Sequence, residues 1–141
     1  MSPQKVLDSF ALLAYLNAEA GYAQVRQILG EARDAGDTVL MNEINIGETY
    51  YILFRRRGEE KADYFLKTVL PGLPIQPVAN DFDLVLRAAK IKARHPLSFA
   101  DCFAAALAQR EETAVVTGDS EFKSVAELVT IEWLNGSGTD C

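Results

Sequence analysis

The sequence predicts an α/β fold with a mostly parallel sheet, and three observations carry that prediction. Short apolar runs alternate with longer amphipathic stretches along the chain. Glycine or proline punctuates many of the junctions. No segment repeats and no linker-like stretch divides the 141 residues, so a single domain is expected.

Residues 5–8, KVLD, form a short apolar approach to an acid and read as a first strand. Phe10, Leu13, Ala14 and Leu16 then recur nearer to helical than to strand spacing. Gly21 interrupts, and residues 22–35 resume with Val25, Ile28, Leu29 and Ala32 on one face. Gly36-Asp37 is a turn signal, and residues 38–41 read as a buried strand. Asn42 is suited to cap the next helix, which runs to about Arg57 with Ile46, Tyr50, Leu53 and Phe54 in phase. Gly58 ends it.

Residues 59–70 read as a further amphipathic helix, closed by Pro71 and Gly72. Residues 74–78 are a strand candidate, kept from the sheet centre by their prolines. Residues 81–94 are helical, with Phe82, Val85, Leu86 and Ala89 in phase, until Pro96 breaks the pattern. The next helix, residues 99–110, has Phe99, Cys102, Phe103, Ala106 and Leu107 on one face. Residues 114–117 form an apolar strand, and Gly118-Asp119 turns the chain. A short helix over 122–127 and a last strand over 129–133 follow. One domain is expected over residues 1–134, with residues 135–141, NGSGTDC, as a flexible tail.

At 49% hydrophobic, the chain has enough apolar residues for a core and too many for a disordered chain. Its net charge of -6 argues mildly against a nucleic-acid partner. A carboxylate site that binds metal weakens this argument, because the ion reverses the local sign. Two cysteines, Cys102 and Cys141, do not suggest a disulfide framework, so a reducing compartment is expected. The opening MSPQKVLDSF has no long apolar run, and no stretch approaches the ~18 apolar residues of a membrane span. The expectation is a soluble, cytoplasmic protein with no membrane association.

In a parallel α/β sheet the ligand site lies outside the carboxyl ends of the strands. Asp8 and Asp119 both follow strand candidates there, although either alone reads equally well as a turn residue or helix cap. Glu48 lies on the row Ile44-Glu48-Ile52 of a helix that is apolar almost all round. A carboxylate buried there needs a partner or a metal; the alternatives are a salt bridge to Arg55 or a half-exposed edge. Glu48 therefore has the weakest ordinary explanation of the acids. Asp101 follows Ser98 by three residues, which matches a capping box. Its helix opens at the expected site and continues as an apolar, alanine-rich run. Converging carboxylates repel without a counter-charge, and hard divalent cations take oxygen ligands. The implied chemistry is metal-assisted hydrolysis of a phosphodiester.

Four segments, VLDSFALLAYL, MNEINIGETYYIL, LSFADCFAAALA and VVTGDSEF, resemble the PIN-domain family, in particular its VapC-like toxin ribonucleases of toxin–antitoxin systems. They cover the chain in the family's order. The acids are separated by 40 (48 − 8), 53 (101 − 48) and 18 (119 − 101) residues. The resemblance implies a three-layer fold with a five-stranded sheet between helices. It implies that Asp8, Glu48, Asp101 and Asp119 form the acidic quartet that holds Mg²⁺ or Mn²⁺. Ser9, Ser98 and Thr117 match small hydroxyl residues that support such a site. An RNA substrate, a homodimer and a cognate antitoxin are likewise implied. The last motif departs from the family, which often has a second acid or Asn near the fourth Asp. Here Gly118 precedes Asp119, and Ser120 and Glu121 follow, so Glu121 becomes an assisting acid.

Arg55-Arg56-Arg57 is the only basic run and a possible RNA contact; Lys90, Lys92 and Arg94 form a looser set. The ordinary reading of the arginine run is complementation of a helix C-terminus. His95 is the only histidine, which excludes histidine-pair ribonuclease chemistry. A dehalogenase-type phosphatase needs a second Asp two residues after the first, where this chain has Phe10. A receiver domain needs an early acidic pair and a mid-chain Asp, and neither is seen. The remaining alternative is a PIN-like module that binds RNA or protein without cutting. Four retained acids count against it, since buried carboxylates without a metal are costly.

Overall fold

The computed structural model describes residues 4–134. Five strands, β1 (Val6–Leu7), β2 (Val39–Asn42), β3 (Ile75–Val78), β4 (Ala114–Thr117) and β5 (Thr130–Trp133), form one sheet in the order β3-β2-β1-β4-β5. Every neighbouring pair is parallel. The chain winds outward from β1 through β2 to β3, then returns to place β4 and β5 on the other side. β1 is therefore the centre, and the crevice between β1 and β4 is the topological switch point.

Helices α1 (Ser9–Leu16), α2 (Tyr22–Asp34), α3 (Glu43–Arg57) and α4 (Glu59–Tyr64) cover one face of the sheet. Helices α5 (Phe82–Arg94) and α6 (Phe99–Arg110) cover the other. Strand alternation divides the two cores. Val6, Leu40 and Val115 join α5 and α6, whereas Leu7, Val39, Met41 and Val116 join α1 to α4. The expected three-layer α/β architecture is the one observed. Pro77 sits in β3, an edge strand, where a missing ladder donor is tolerated. Gly21 has φ +94°, and a Cβ there would come within 3.0 Å of Leu134 Cβ, so a side chain at this entry to α2 would meet β5's exit.

Several local expectations change. β1 stops at Leu7, and Asp8 caps α1. The segment after Gly58 stays helical as far as Gly72, but only residues up to Tyr64 are α. Phe65–Val69 is a π turn and Leu70–Gly72 a 3₁₀ turn. Pro71 gives the reason, since it has no N–H and its ring clashes with the carbonyl four residues back. Residues 120–125 form a 3₁₀ segment rather than a helix over 122–127. The phase expected for α5 is wrong. Leu84, Ala88 and Ile91 are buried, while Phe82 is 71% exposed and Leu86 also faces out. Helical spacing fits either set; the packing against α6 selects the one with the smaller Ala88 at its middle. Phe10 and Phe99, in phase with the apolar positions of their helices, are also exposed. The expected tail, residues 135–141, lies outside the described residues.

Candidate active site

The four acids sit at the carboxyl end of the sheet and the helix starts beside it. Asp8 follows β1 directly. Its Oδ1 accepts from Ala11 N (2.8 Å), which caps α1, and its Oδ2 accepts a short hydrogen bond from Thr117 Oγ1 at the end of β4. The same Thr117 hydroxyl accepts from Asp119 N (3.0 Å), so one side chain at the switch point orients two acids. Asp119 in turn caps the 3₁₀ segment, accepting from Glu121 N at 2.9 Å. Asp101 lies in the first turn of α6, where its N–H donates to Ser98 Oγ (3.2 Å). Asp8 and Asp119 each cap through one carboxylate oxygen, and Ser98 fixes the backbone from which Asp101 projects, so capping and a place in the site are compatible.

Asp8 is 0% exposed and Asp101 6%. Burial pushes the Asp8 carboxyl up to about 8, against the hydrogen bonds from Thr117 and Ala11 and with the negative fields of Asp101 and Asp119. Burial likewise raises Asp101 to about 7; the Ser98 bond opposes this, and Asp119, Glu48 and Glu121 add to it. Among the described residues the ion pairs are Lys5–Glu132 and Arg110–Glu111, and neither involves these acids. Ligand oxygens of Asp101, Asp119 and Glu121 lie within 4.8 Å of one another, a set able to hold a metal ion. Asp8 adjoins this set through its interaction with Asp101 and Asp119, and Glu48 through Asp101. An all-oxygen, carboxylate-rich donor set suits a hard divalent cation.

Glu48 differs from its expectation. It is half-buried, its neighbour Ile44 is 41% exposed, and its partner is Ser9, whose Oγ donates to Glu48 Oε1 at 2.5 Å. The apolar row that singled it out faces outward in part. Arg55 forms no ion pair with it among the described residues; that guanidinium lies 5.1 Å from the Tyr51 ring centroid. Burial makes Asp8 and Asp101 the more diagnostic acids. Ser9 donates to Glu48, Thr117 donates to Asp8, and Ser98 caps α6. The Arg55–Arg57 run sits in the last turn of α3. It begins seven residues past Glu48 (55 − 48), on the order of 10 Å along the axis. The run is not part of the acidic cluster.

Asn45 was missed by the sequence reading. It is fully buried, and its Nδ2 donates to Ala100 O (3.1 Å), tying α3 to the first turn of α6 beside Asp101. Its Oδ1 is buried without a hydrogen-bond partner among the described residues. The available signal was a carboxamide between Ile44 and Ile46, one turn before Glu48.

The fold and the site together define an α/β protein with an acidic, cation-suited cluster at the switch point of a parallel sheet. A family model for the PIN domain matches residues 5–128, and the chain belongs to that family. Solved structures agree on the fold. VapC20 of Mycobacterium tuberculosis, a sarcin–ricin loop cleaving toxin, is 21% identical with a TM-score of 0.72, covering 89% of this chain and 97% of its own. VapBC2 of Rickettsia felis, solved bound to a DNA fragment from its promoter, is 15% identical with a TM-score of 0.69, covering 93% and 98%. DNA-bound VapBC of Salmonella typhimurium is 15% identical with a TM-score of 0.70, covering 94% and 98%. Comparison with curated protein sequences returns no significant match. No described helix is long and apolar enough to cross a membrane.

Proposed function

We propose that this chain is a Mg²⁺-dependent endoribonuclease, the toxin of a VapBC-type toxin–antitoxin pair. The observation that carries the reading is Asp8, a fully buried strand-end carboxyl that forms no ion pair among the described residues, next to a second buried acid, Asp101. Such a pair is costly without a cation. Membership of the PIN domain family and the likeness to an RNA-cleaving toxin support RNA as the substrate.

Asp8, Asp101 and Asp119 would hold the ion, with Glu121 and Glu48 completing the set. When bound, a divalent cation lowers the pKa of water and offsets negative charge building on phosphate. Thr117 keeps Asp8 and Asp119 in register with each other. Ser9 holds Glu48 Oε1 and leaves Oε2 to take the proton from the attacking water. Water oxygen bonds to phosphorus as one ribose oxygen leaves, with inversion at phosphorus. The leaving ribose oxygen takes its proton from solvent water, and Glu48 releases the proton it accepted back to solvent.

Two partners follow from the same reading. A homodimer suits the apolar side chains exposed on α3, Ile44, Tyr51 and Phe54, and Phe99 on α6. A cognate antitoxin is favoured by the VapBC complexes among the similar folds. Light scattering of the dimer should give twice 15.5 kDa.

The test is cleavage of total RNA by purified, partner-free protein with Mg²⁺, with EDTA, and in Asp8→Asn. Cleavage lost in both latter cases is expected. Absence of cleavage by the wild-type chain, with RNA binding retained, would assign it to the non-catalytic module instead.

A further inference from the structure

Outside the acidic site, a groove of about 520 Å³ runs along α5, between Asp83 at one end and His95 at the other, with Gln109 of α6 and Leu128 on its far wall. Arg87, Lys90 and Arg94 line it, all exposed. Their i, i+3, i+7 spacing puts them on one face of α5, spread over about 10 Å. We infer that this groove binds the phosphodiester backbone of single-stranded RNA and leads it toward the carboxylate cluster. The inference rests on the proposed ribonuclease function and deepens it.

Four observations carry it. First, this is a concentrated cationic stripe on a chain of net charge -6. Second, its charges are available. Lys90 and Arg94 make no ion pair among the described residues, and Arg87 Nη1 donates to the neutral Gln109 Oε1 at 3.1 Å. By contrast, Arg55 lies over Tyr51 and Arg57 bonds Asn17 Oδ1 at 3.0 Å. Third, the helix dipole accounts for Lys92 and Arg94 in the last turn of α5 but not for Arg87 in its first half. Fourth, the stripe ends at Arg94, four residues before Ser98 (98 − 94), which caps the helix carrying Asp101. Four residues span at most about 14 Å. Leu86 and Leu128 give the groove an apolar rim suited to ribose and base faces, and Phe82, one turn before Leu86, is free to stack on a base. An acidic polypeptide would satisfy the charges, but the apolar rim and the exposed Phe82 ring favour RNA.

The experiment measures binding of a fluorescein-labelled single-stranded RNA oligonucleotide in EDTA, as a function of NaCl, by the full-length chain and by Arg87→Ala/Lys90→Ala/Arg94→Ala. Each single-strand phosphate contact contributes ~0.7 to the log–log salt slope, so the triple variant should lose about 2 from that slope and bind roughly tenfold more weakly at low salt. Arg87→Lys/Arg94→Lys keeps the charge and should keep the slope. If the triple variant does not fold, Arg87→Ala alone should lose about 0.7. Cleavage by the wild-type chain with Mg²⁺ is read in parallel. Cleavage together with an unchanged slope overturns the groove and leaves the proposed function standing. A wild-type chain that neither binds nor cleaves RNA overturns both. If the variant loses polyglutamate binding but keeps RNA binding, the groove belongs to a polypeptide partner and the inference fails.

Discussion

Asp8 and Asp101 lie buried at the carboxyl end of the sheet, whereas Arg87, Lys90 and Arg94 stand exposed along α5. The two regions differ in what their charges cost the fold. Each buried carboxyl is driven toward its neutral form by desolvation, so ionising the acidic end costs the fold stability that a bound cation would restore. The exposed cations keep their water, perturb nothing, and add little to stability. On the proposed reading, charge that would hold a metal is built into the core, and charge suited to a long anionic ligand is left on the surface. Changes at the acidic end should therefore alter activity and stability together, while changes on the outer face of α5 should alter ligand binding alone.

The largest effect is expected from Asp101→Asn. Removing one charged oxygen ligand forfeits several kcal/mol of transition-state stabilisation, so RNA cleavage should fall by about 10³-fold, measured as initial rate with Mg²⁺. A loss of less than tenfold would show that Asp119 and Glu121 suffice.

The next effect is the pH dependence of stability without metal. The folded-state values of Asp8 and Asp101, about 8 and about 7, lie above the ordinary 3.8. The folded chain thus binds these protons more tightly than the unfolded chain. Their contribution is fully present below about pH 4 and is lost as pH rises toward 8, on the order of a few kcal/mol. Denaturant melts in EDTA should show declining stability over that window, Asp8→Asn should flatten the decline, and Mg²⁺ should stabilise most at the alkaline end. A flat profile in EDTA would break the contrast between the two regions.

The inner and outer faces of α5 give a third test. Leu84→Ala, at a buried position, should cost about 2–5 kcal/mol in urea unfolding. Phe82→Ala, on the outer face, should stay within about 0.5 kcal/mol. A fourth test is Thr117→Val, which removes the hydroxyl shared by Asp8 and Asp119. It should cost about 1–3 kcal/mol of stability and reduce cleavage by about 10- to 100-fold. A greater loss of cleavage than of Mg²⁺ affinity would locate its role in orientation rather than in holding the ion.

The sequence by itself determined the alternation of strands and helices, the edge position of the proline-bearing strand, and the capping residues Asp8, Asn42 and Ser98. Those features are local, set by periodicity and by the few residues that satisfy a helix terminus. It also brought forward all four acids, because motif order along a chain survives without coordinates. Only the tertiary structure decided which acid is the most perturbed. Glu48 stood out from its apolar helical neighbours, yet Ile44 beside it faces outward, and the deepest burial belongs to Asp8, closed in by β4, Thr117 and α1. Burial is a property of what packs against a residue from distant parts of the chain, and one helix's own periodicity does not contain it. The same reason hid the inner face of α5 and the carboxamide of Asn45, whose bond to Ala100 joins residues 55 apart.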